Sequence, residues 1–385
     1  MKLSRKIQSL PPYLFAEIDK AKRKARVRGR DIIDFGVGDP DTPTPKYIIE
    51  ALCQAAQNPS HHRYALDQGM PALRQAIQGW YKRRFNVDLN PETEILPLIG
   101  SKEGLAHFPL AFLNTGDYSL VPDPSYPPYR GGTILAGGKP FSLPLLEQNS
   151  FLPDLKQISA SIRKKAKLIY INYPNNPTSA TAEIDFYQQV VAFARRNKIL
   201  VLSDLAYSEI AFDGYRPSSA LQVEGAKEVV VEFHSLSKTF NMTGWRVGWA
   251  CGHKKAIDAL GKVKSNVDSG IFSAVQVAGI AALEGPDRHL ENMCRLYKQR
   301  RDTLIRHLHA LGLQVDSPKA TFYVWVKIPR KLSSIPFTRM LLEKADIVVT
   351  PGVGFGAYGE GFIRLALTVT QERIEEAVGR LKKVL

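Results

Sequence analysis

The feature that most constrains the fold of this chain is the alternation, through its middle, of short apolar runs with longer amphipathic stretches. The clearest β-branched runs span residues 167–172, 199–204 and 228–235, and residues 184–197 carry apolar side chains at helical spacing. This alternation is typical of strand–helix–strand units around a mostly parallel sheet. Because ligands bind beyond the carboxyl ends of such strands, we expect the functional residues there.

A chain of 385 residues is long for one domain and suits two that share an interface. An amphipathic helix is predicted over residues 289–311, and strands are predicted over residues 322–328 and 362–366 beyond it. We therefore predict an α/β fold with a smaller α+β domain. The predicted boundaries are 48–285 for the large domain, and 1–47 with 286–385 for the small one.

The 52 lysines and arginines outnumber the 37 acidic residues, which gives a net charge of +15. Such an excess can indicate nucleic acid, an acidic surface or anionic small molecules as partners. The basic residues are spread out, and the dense run 20–30 alternates with small residues, as in a solvated helix end. With no run of ~18 apolar residues either, we expect small-molecule partners, no nucleic acid and no membrane.

Cysteine and histidine usage argues against a disulfide framework or a metal site. Cys53, Cys251 and Cys294 show no paired spacing, and the adjacent His61 and His62 lack companion ligands. We expect Cys53 to lie in the core, because its stretch is apolar and helical. A reducing cytoplasm fits this composition.

The segment 235–248 (S-L-S-K-T-F-N-M-T-G-W-R-V-G) directly follows a predicted strand. In a partly dry pocket, the Lys238 amine can lose its proton and form an imine with an aldehyde. Ser235, Ser237 and Arg246 can bind a phosphate through charge-assisted hydrogen bonds. Taken alone, the S-x-K tripeptide favours a solvent-exposed loop lysine, whereas the whole fourteen-residue string favours the pocket.

Other candidate residues fall at predicted element ends. Asp204 ends a predicted strand, and Ser101 and Lys102 begin a predicted helix whose backbone amides suit an anion. Arg364 lies among apolar residues, which is costly unless an anion pairs with it. The alternatives are a strand-end turn or a helix cap for Asp204, a helix cap for Ser101 and Lys102, and a structural salt bridge for Arg364.

The 235–248 string resembles the lysine signature of the fold-type I pyridoxal-phosphate (PLP) aminotransferases. Residues 172–178 (N-Y-P-N-N-P-T) and 203–207 (S-D-L-A-Y) are similar to the next two signatures of that family, in the same order. The resemblance extends over nearly the whole chain. It implies the fold-type I architecture, PLP as cofactor, and transamination between an amino acid and a 2-oxo acid.

The resemblance also implies roles for individual residues. Lys238 would carry PLP as a Schiff base, Asp204 would face the pyridine nitrogen, and Asn176 and Tyr207 would bind the phenolic oxygen. A carboxylate there keeps the ring protonated, so that it withdraws electrons from the substrate. The remaining cofactor contacts would come from Ser101, Lys102, Tyr126, Ser235, Ser237 and Arg246, and from Tyr64 reaching a partner subunit's phosphate in a homodimer with shared active sites. Substrate contacts would come from Tyr13, Gly38, Lys102, Asn176 and Arg364.

More detailed similarity in four further segments narrows the range of expected substrates. Residues 10–15, 100–111, 121–126 and 129–134 are similar to the LL-diaminopimelate aminotransferases, which make LL-diaminopimelate from tetrahydrodipicolinate with glutamate as donor. Glu103 and Lys102 are then candidates for the far amine and carboxylate of the substrate.

Several alternatives stay open at this point. They are an alanine, aspartate or aromatic aminotransferase of broader specificity, a carbon–sulfur lyase, a PLP-binding regulator and a structural protein. The glycine-rich stretch 352–361 lacks the nucleotide-loop spacing, and we predict that it forms a mobile cover.

Overall fold

The computed structural model describes residues 2–11, 14–65, 67–329 and 332–385. Among the helices in these ranges, none combines the length and the apolar character that a membrane span requires. The helices are α1 Arg5–Gln8, α2 Leu14–Val27, α3 Lys46–Ala56, α4 Pro71–Phe85, α5 Ser101–Phe112, α6 Pro128–Leu135, α7 Ala160–Lys165, α8 Ile184–Asn197, α9 Leu236–Thr239, α10 Lys254–Lys264, α11 Ser273–Glu284, α12 Arg288–Ala310, α13 Ser334–Ala345 and α14 Gln371–Leu381. The strands are β1 Ile33–Asp34, β2 Ile95–Leu98, β3 Tyr118–Asp123, β4 Lys139–Pro144, β5 Ala166–Asn172, β6 Leu200–Asp204, β7 Val230–Ser235, β8 Gly248–Gly252, β9 Tyr323–Lys327, β10 Ile347–Val348, β11 Thr350–Pro351 and β12 Phe362–Ala366.

The central sheet has the strand order β2-β8-β7-β6-β5-β3-β4. Strands β7, β6, β5, β3 and β4 run parallel, and β8 runs antiparallel to its neighbours β2 and β7. Strands buried on both faces need continuous apolar runs, which is why the sequence pattern located β5, β6 and β7 to within two residues. The predicted mostly parallel α/β fold is confirmed.

Helices cover both faces of this sheet. On one face, α3, α4, α8 and α11 pack into a core that includes Ile48, Leu73, Val190 and Ala278. On the other face, α5, α6 and α10 bury residues such as Phe108. The edge of the sheet at the carboxyl ends of the parallel strands is left for the site described below.

A smaller antiparallel sheet in the order β11-β12-β9 packs with α12, α13 and α14, and β1 pairs with β10 beside it. Its core also takes in residues 206–212, which follow β6 of the large sheet. The predicted domain boundaries at 47/48 and 285/286 stay a prediction, and this shared core shows that the two parts of the chain are in close contact.

The expectation that Cys53 is buried is wrong, because its side chain is exposed. In α3, Ile48 and Ala55 face the core. Cys53 lies five positions after Ile48, which places it about 140° around the helix from that residue. The rings of His61 and His62 hydrogen-bond to the carbonyl oxygens of Ala55 and Ala56, which explains this pair without a metal.

Candidate active site

The carboxyl ends of three adjacent parallel strands place polar side chains at one edge of the large sheet. Asn172, Asp204 and Ser235 end β5, β6 and β7, and Lys238 follows in the short helix α9. They line a cavity of about 500 Å³ between the two sheets. The site therefore lies where the strand pattern predicted it.

Most residues proposed from the sequence meet in this cavity. Those that line it are Gly38, Ser101, Lys102, Tyr126, Asn176, Asp204, Tyr207, Ser235, Ser237, Lys238, Arg246 and Arg364. The sequence reasoning assigned no role to other residues that line it, among them Val37, Thr243, Tyr323 and Phe355.

The Lys238 amine lies inside the cavity, where Nζ donates a 2.6 Å hydrogen bond to the carbonyl oxygen of Gly38. Burial lowers the pKa of Lys238 to about 8; nearby Asp39 opposes this shift, and the positive charges of Arg364 and Arg246 reinforce it. A lysine with a lowered pKa is a better nucleophile toward an aldehyde near neutral pH. The exposed-loop alternative for Lys238 does not hold.

The Asp204 carboxylate is buried at the end of β6. Its Oδ2 accepts a 2.6 Å hydrogen bond from the hydroxyl of Tyr129, and its Oδ1 accepts a 3.3 Å bond from the backbone amide of Ala206. Burial raises the pKa of Asp204 to about 6, and these two hydrogen bonds oppose the rise. A carboxylate held this way is suited to pairing with a cation such as a protonated ring nitrogen.

The start of α5 and the Arg246 guanidinium form one end of the cavity. Arg246 donates hydrogen bonds to the carbonyl oxygens of Thr243 at 2.8 Å and Ile99 at 3.4 Å. Gly100 adopts φ 77°, and a Cβ there would collide with the guanidinium. A Cβ on Gly248 would lie 2.7 Å from the Ser101 amide. Two glycines therefore keep a cation and a helix N-terminus close together, which is a suitable environment for a phosphate.

Arg364 forms the opposite side of the cavity and is 3% exposed. Its guanidinium donates 2.8 Å hydrogen bonds to Asn176 Oδ1 and to the carbonyl oxygen of Gly36. The guanidinium carbon lies 4.2 Å from the ring centre of Tyr323 and 4.7 Å from that of Phe355. The two aromatic rings and two hydrogen bonds fix the orientation of the guanidinium.

Tyr323 has a structural part in the site that no sequence pattern indicated. Its hydroxyl hydrogen-bonds to that of Tyr207 at 2.9 Å. A Cβ on Gly38 would collide with the same hydroxyl, so glycine is required there by close approach. The predicted strand 322–328 located Tyr323, but only the pairing of β9 with β12 brings it beside Arg364.

Two of the proposed residues that the structure describes, Tyr64 and Glu103, do not line this cavity. The structure does not describe Tyr13, so that prediction lies outside the described residues. Tyr64 is 93% exposed, and its predicted reach to a partner subunit stays a prediction.

The suggestion that Glu103 handles the substrate is wrong. Its carboxylate faces away from the cavity, accepts a hydrogen bond from the Ile99 amide and pairs with Lys264, which is 1% exposed. Lys264 also pairs with Asp268. Lys102 lines the cavity, whereas the side chain of Glu103, one position further along α5, points to another side of the helix.

The cavity residues fit PLP. A nucleophilic lysine suits its aldehyde, a buried carboxylate suits its ring nitrogen, and the glycine-lined helix start with Arg246 suits its phosphate. These complementary groups lie in one cavity.

Comparisons with known proteins agree with this reading. The family described as aminotransferase class I and II matches residues 30–381. The LL-diaminopimelate aminotransferase of Moorella thermoacetica is 53% identical over 100% of this chain and 99% of its own length, and the protein of that name from Syntrophobacter fumaroxidans is 55% identical over 98% of each chain. The solved structure of substrate-bound BacF from Bacillus subtilis superposes with a TM-score of 0.96 at 41% identity, covering 100% of this chain and 98% of that one. This chain belongs to the aminotransferase class I and II family and is a PLP-dependent enzyme that transfers amino groups.

Proposed function

We propose that this enzyme is an LL-diaminopimelate aminotransferase, which exchanges an amino group between LL-diaminopimelate and 2-oxoglutarate on the route to lysine and cell-wall precursors. The observation that carries the proposal is the 53% and 55% identity, over almost the full length, to two enzymes of that name. The cavity supports it with two cationic side chains, Arg364 and Lys102, for a substrate that has a carboxylate at each end.

The proposed cofactor contacts are made by residues that line the cavity. Lys238 would hold PLP covalently, Asp204 would pair with its ring nitrogen, and Asn176 and Tyr207 would bind its phenolic oxygen. Tyr126 would stack on the ring, and the phosphate contacts would be Ser101, Lys102, Ser235, Ser237 and Arg246. When bound, PLP supplies the electron sink that allows the substrate α-proton to leave.

In its free form, the Lys238 amine is the general base that takes the proton from the substrate Cα. A pKa of about 8 leaves roughly a tenth of the amine neutral at pH 7, against less than about 0.1% for an ordinary lysine. Arg364 holds the α-carboxylate through two parallel hydrogen bonds, while the backbone of Gly38 lies against it. The Cα–H bond is thereby kept within reach of Nζ.

The assignment is tested by mixing the PLP-loaded enzyme with LL-diaminopimelate and 2-oxoglutarate. We expect glutamate to form together with a product that cyclises and gives colour with o-aminobenzaldehyde. Parallel reactions contain alanine, aspartate or phenylalanine as donor, and cystathionine as a probe for pyruvate release. Glutamate from those donors alone would leave an aminotransferase of different specificity, and pyruvate from cystathionine without glutamate would indicate a carbon–sulfur lyase.

We further propose a cytoplasmic homodimer with shared active sites, in which Tyr64 reaches the phosphate bound by the partner. The support is that the Tyr64 side chain is 93% exposed and is therefore accessible to a partner subunit. Light scattering should give twice the chain mass of 42.9 kDa. A monomer that is fully active would contradict the proposal.

A further inference from the structure

The segment 352–361, called here the glycine loop, joins β11 to β12 and reaches the cavity through Phe355. It contains two 3₁₀ turns, Gly352–Phe355 and Ala357–Gly359. The backbones of Gly352 and Gly359 are so close that a Cβ on either would collide with the carbonyl oxygen of the other. The loop is therefore a compact unit that can be held or released as a whole.

One buried carboxylate of the large sheet holds this loop. Asp123 ends β3 and is 3% exposed. Its Oδ1 accepts a 3.0 Å hydrogen bond from the backbone amide of Tyr358. Gly356, at φ 141°, lies against the same oxygen so closely that a Cβ there would collide with it. The loop backbone is thus fitted to the carboxylate, and an anion so deeply buried needs such donors.

The other oxygen of Asp123 is fixed from the large sheet. Oδ2 accepts a 3.1 Å hydrogen bond from the Ser142 hydroxyl, and the Arg130 guanidinium lies 3.5 Å away. A second contact follows two residues later along the chain, where the amide of Ser125 donates a 2.8 Å hydrogen bond to the carbonyl oxygen of Phe355. The carboxylate therefore joins an oriented anchor on the large sheet to a loop of the small sheet.

The docked loop reaches Arg364 through Phe355. The Phe355 ring packs on one side of the guanidinium at 4.7 Å, and Tyr323 packs at 4.2 Å. If the loop moves away from Asp123, Phe355 moves with it and the guanidinium loses this aromatic neighbour. A cation in contact with an aromatic ring is stabilised in that orientation.

We propose that Asp123 is a positioning residue for the amino-acid substrate: by docking the glycine loop through the Tyr358 amide, it holds Phe355 against Arg364 and keeps the guanidinium oriented for the substrate carboxylate. The inference rests on the proposed role of Arg364 in carboxylate binding. It concerns any 2-amino acid that the enzyme accepts, so it does not depend on the choice of LL-diaminopimelate.

The proposal is tested with Asp123→Ala and the conservative Asp123→Asn in the PLP-loaded enzyme. We expect Asp123→Ala to raise the KM of the amino donor about tenfold, because one hydrogen bond to a charged group is lost. The value of kcat should change much less. Asp123→Asn keeps a carbonyl oxygen for the Tyr358 amide and should recover part of the loss. Hydrogen exchange in peptides covering 352–361 should be faster in Asp123→Ala, while the affinity for PLP is unchanged.

A variant on the loop side gives an independent check. Gly356→Ala places a Cβ against Asp123 Oδ1 and should raise the KM of the amino donor. In the Asp123→Ala background, the same substitution should raise this KM by a smaller factor than it does in the unmodified enzyme. Gly214→Ala is the matched control, because Gly214 also has a positive φ of 78°, but no atom of the described residues lies within 4 Å of its Cβ position. It should leave the KM unchanged.

Two results would overturn the proposal: unchanged loop exchange in Asp123→Ala, or a loss of PLP affinity that accounts for the higher KM. If LL-diaminopimelate is not a substrate, the KM is measured with the donor that is. Loop exchange is read without substrate, so failure of the proposed function and failure of this inference give different results.

Discussion

The two sides of the cavity are built in different ways. The strand-end wall, which contains Asp204, Ser235 and Lys238, comes from adjacent strands of one sheet and from the residues just after them. The arginine wall brings Phe355 and Arg364, from the C-terminal part of the chain, together with Gly36 from its N-terminal part. The first wall could be read from short motifs, whereas the second exists only because the small sheet docks against the large one.

The walls also differ in how their charges are controlled. In the strand-end wall, burial lowers the pKa of Lys238 to about 8 and raises that of Asp204 to about 6, so both values lie closer to neutral pH. In the arginine wall, a cation is oriented by neutral oxygens and aromatic rings. We therefore expect changes in the first wall to affect the chemical step and changes in the second to affect substrate binding.

The largest effect is expected for Lys238→Ala. Loss of the general base should reduce turnover by roughly 10⁴-fold or more, and the borohydride-reduced protein should no longer carry the mass of PLP. Lys298→Ala is the control, because Lys298 is a partly exposed lysine in surface ion pairs. Turnover that survives in Lys238→Ala would contradict the assignment of the strand-end wall.

An intermediate effect is expected for Arg364→Lys. An ammonium group cannot make the two parallel hydrogen bonds of a guanidinium, so the KM of the amino donor should rise about 10- to 100-fold while kcat changes less. Steady-state kinetics, measured while the concentrations of both substrates are varied, gives KM and kcat separately. Arg301→Lys is the matched control, since Arg301 is equally buried but binds Asp213 and the Pro318 carbonyl. A fall in kcat with an unchanged KM would contradict the idea that the arginine wall acts on substrate binding rather than on the chemical step.

The smallest of these effects is expected for Tyr129→Phe. The Tyr129 hydroxyl lowers the pKa of Asp204, so its removal should raise that pKa and leave less carboxylate ionised on the acid side. We expect kcat to fall about tenfold and the acid limb of its pH profile to move to higher pH. Tyr187→Phe, which removes a buried hydroxyl bound to the Tyr173 carbonyl, serves as the control. An unmoved acid limb would mean that Tyr129 does not tune Asp204.

Motif reasoning succeeded where a role depends on residues next to each other in sequence. Lys238 and its flanking serines, and Asp204 at a strand end, were placed correctly in the cavity. It failed where neighbours in sequence point apart: Glu103 follows Lys102 but pairs with the buried Lys264. Cys53 was misplaced for the same reason, because helical phase decides which side chains face the core.

The sequence by itself determined the parallel sheet, the family, the cofactor and the strand-end wall, because strand periodicity and contiguous motifs are local properties of the chain. Only the tertiary structure decided the partners Tyr129, Tyr323 and Asp123. Each acts on a residue far from it in sequence, through a hydrogen bond or ring contact of a few ångströms. Such contacts depend on how the two sheets and their loops pack, and no local pattern encodes that distance.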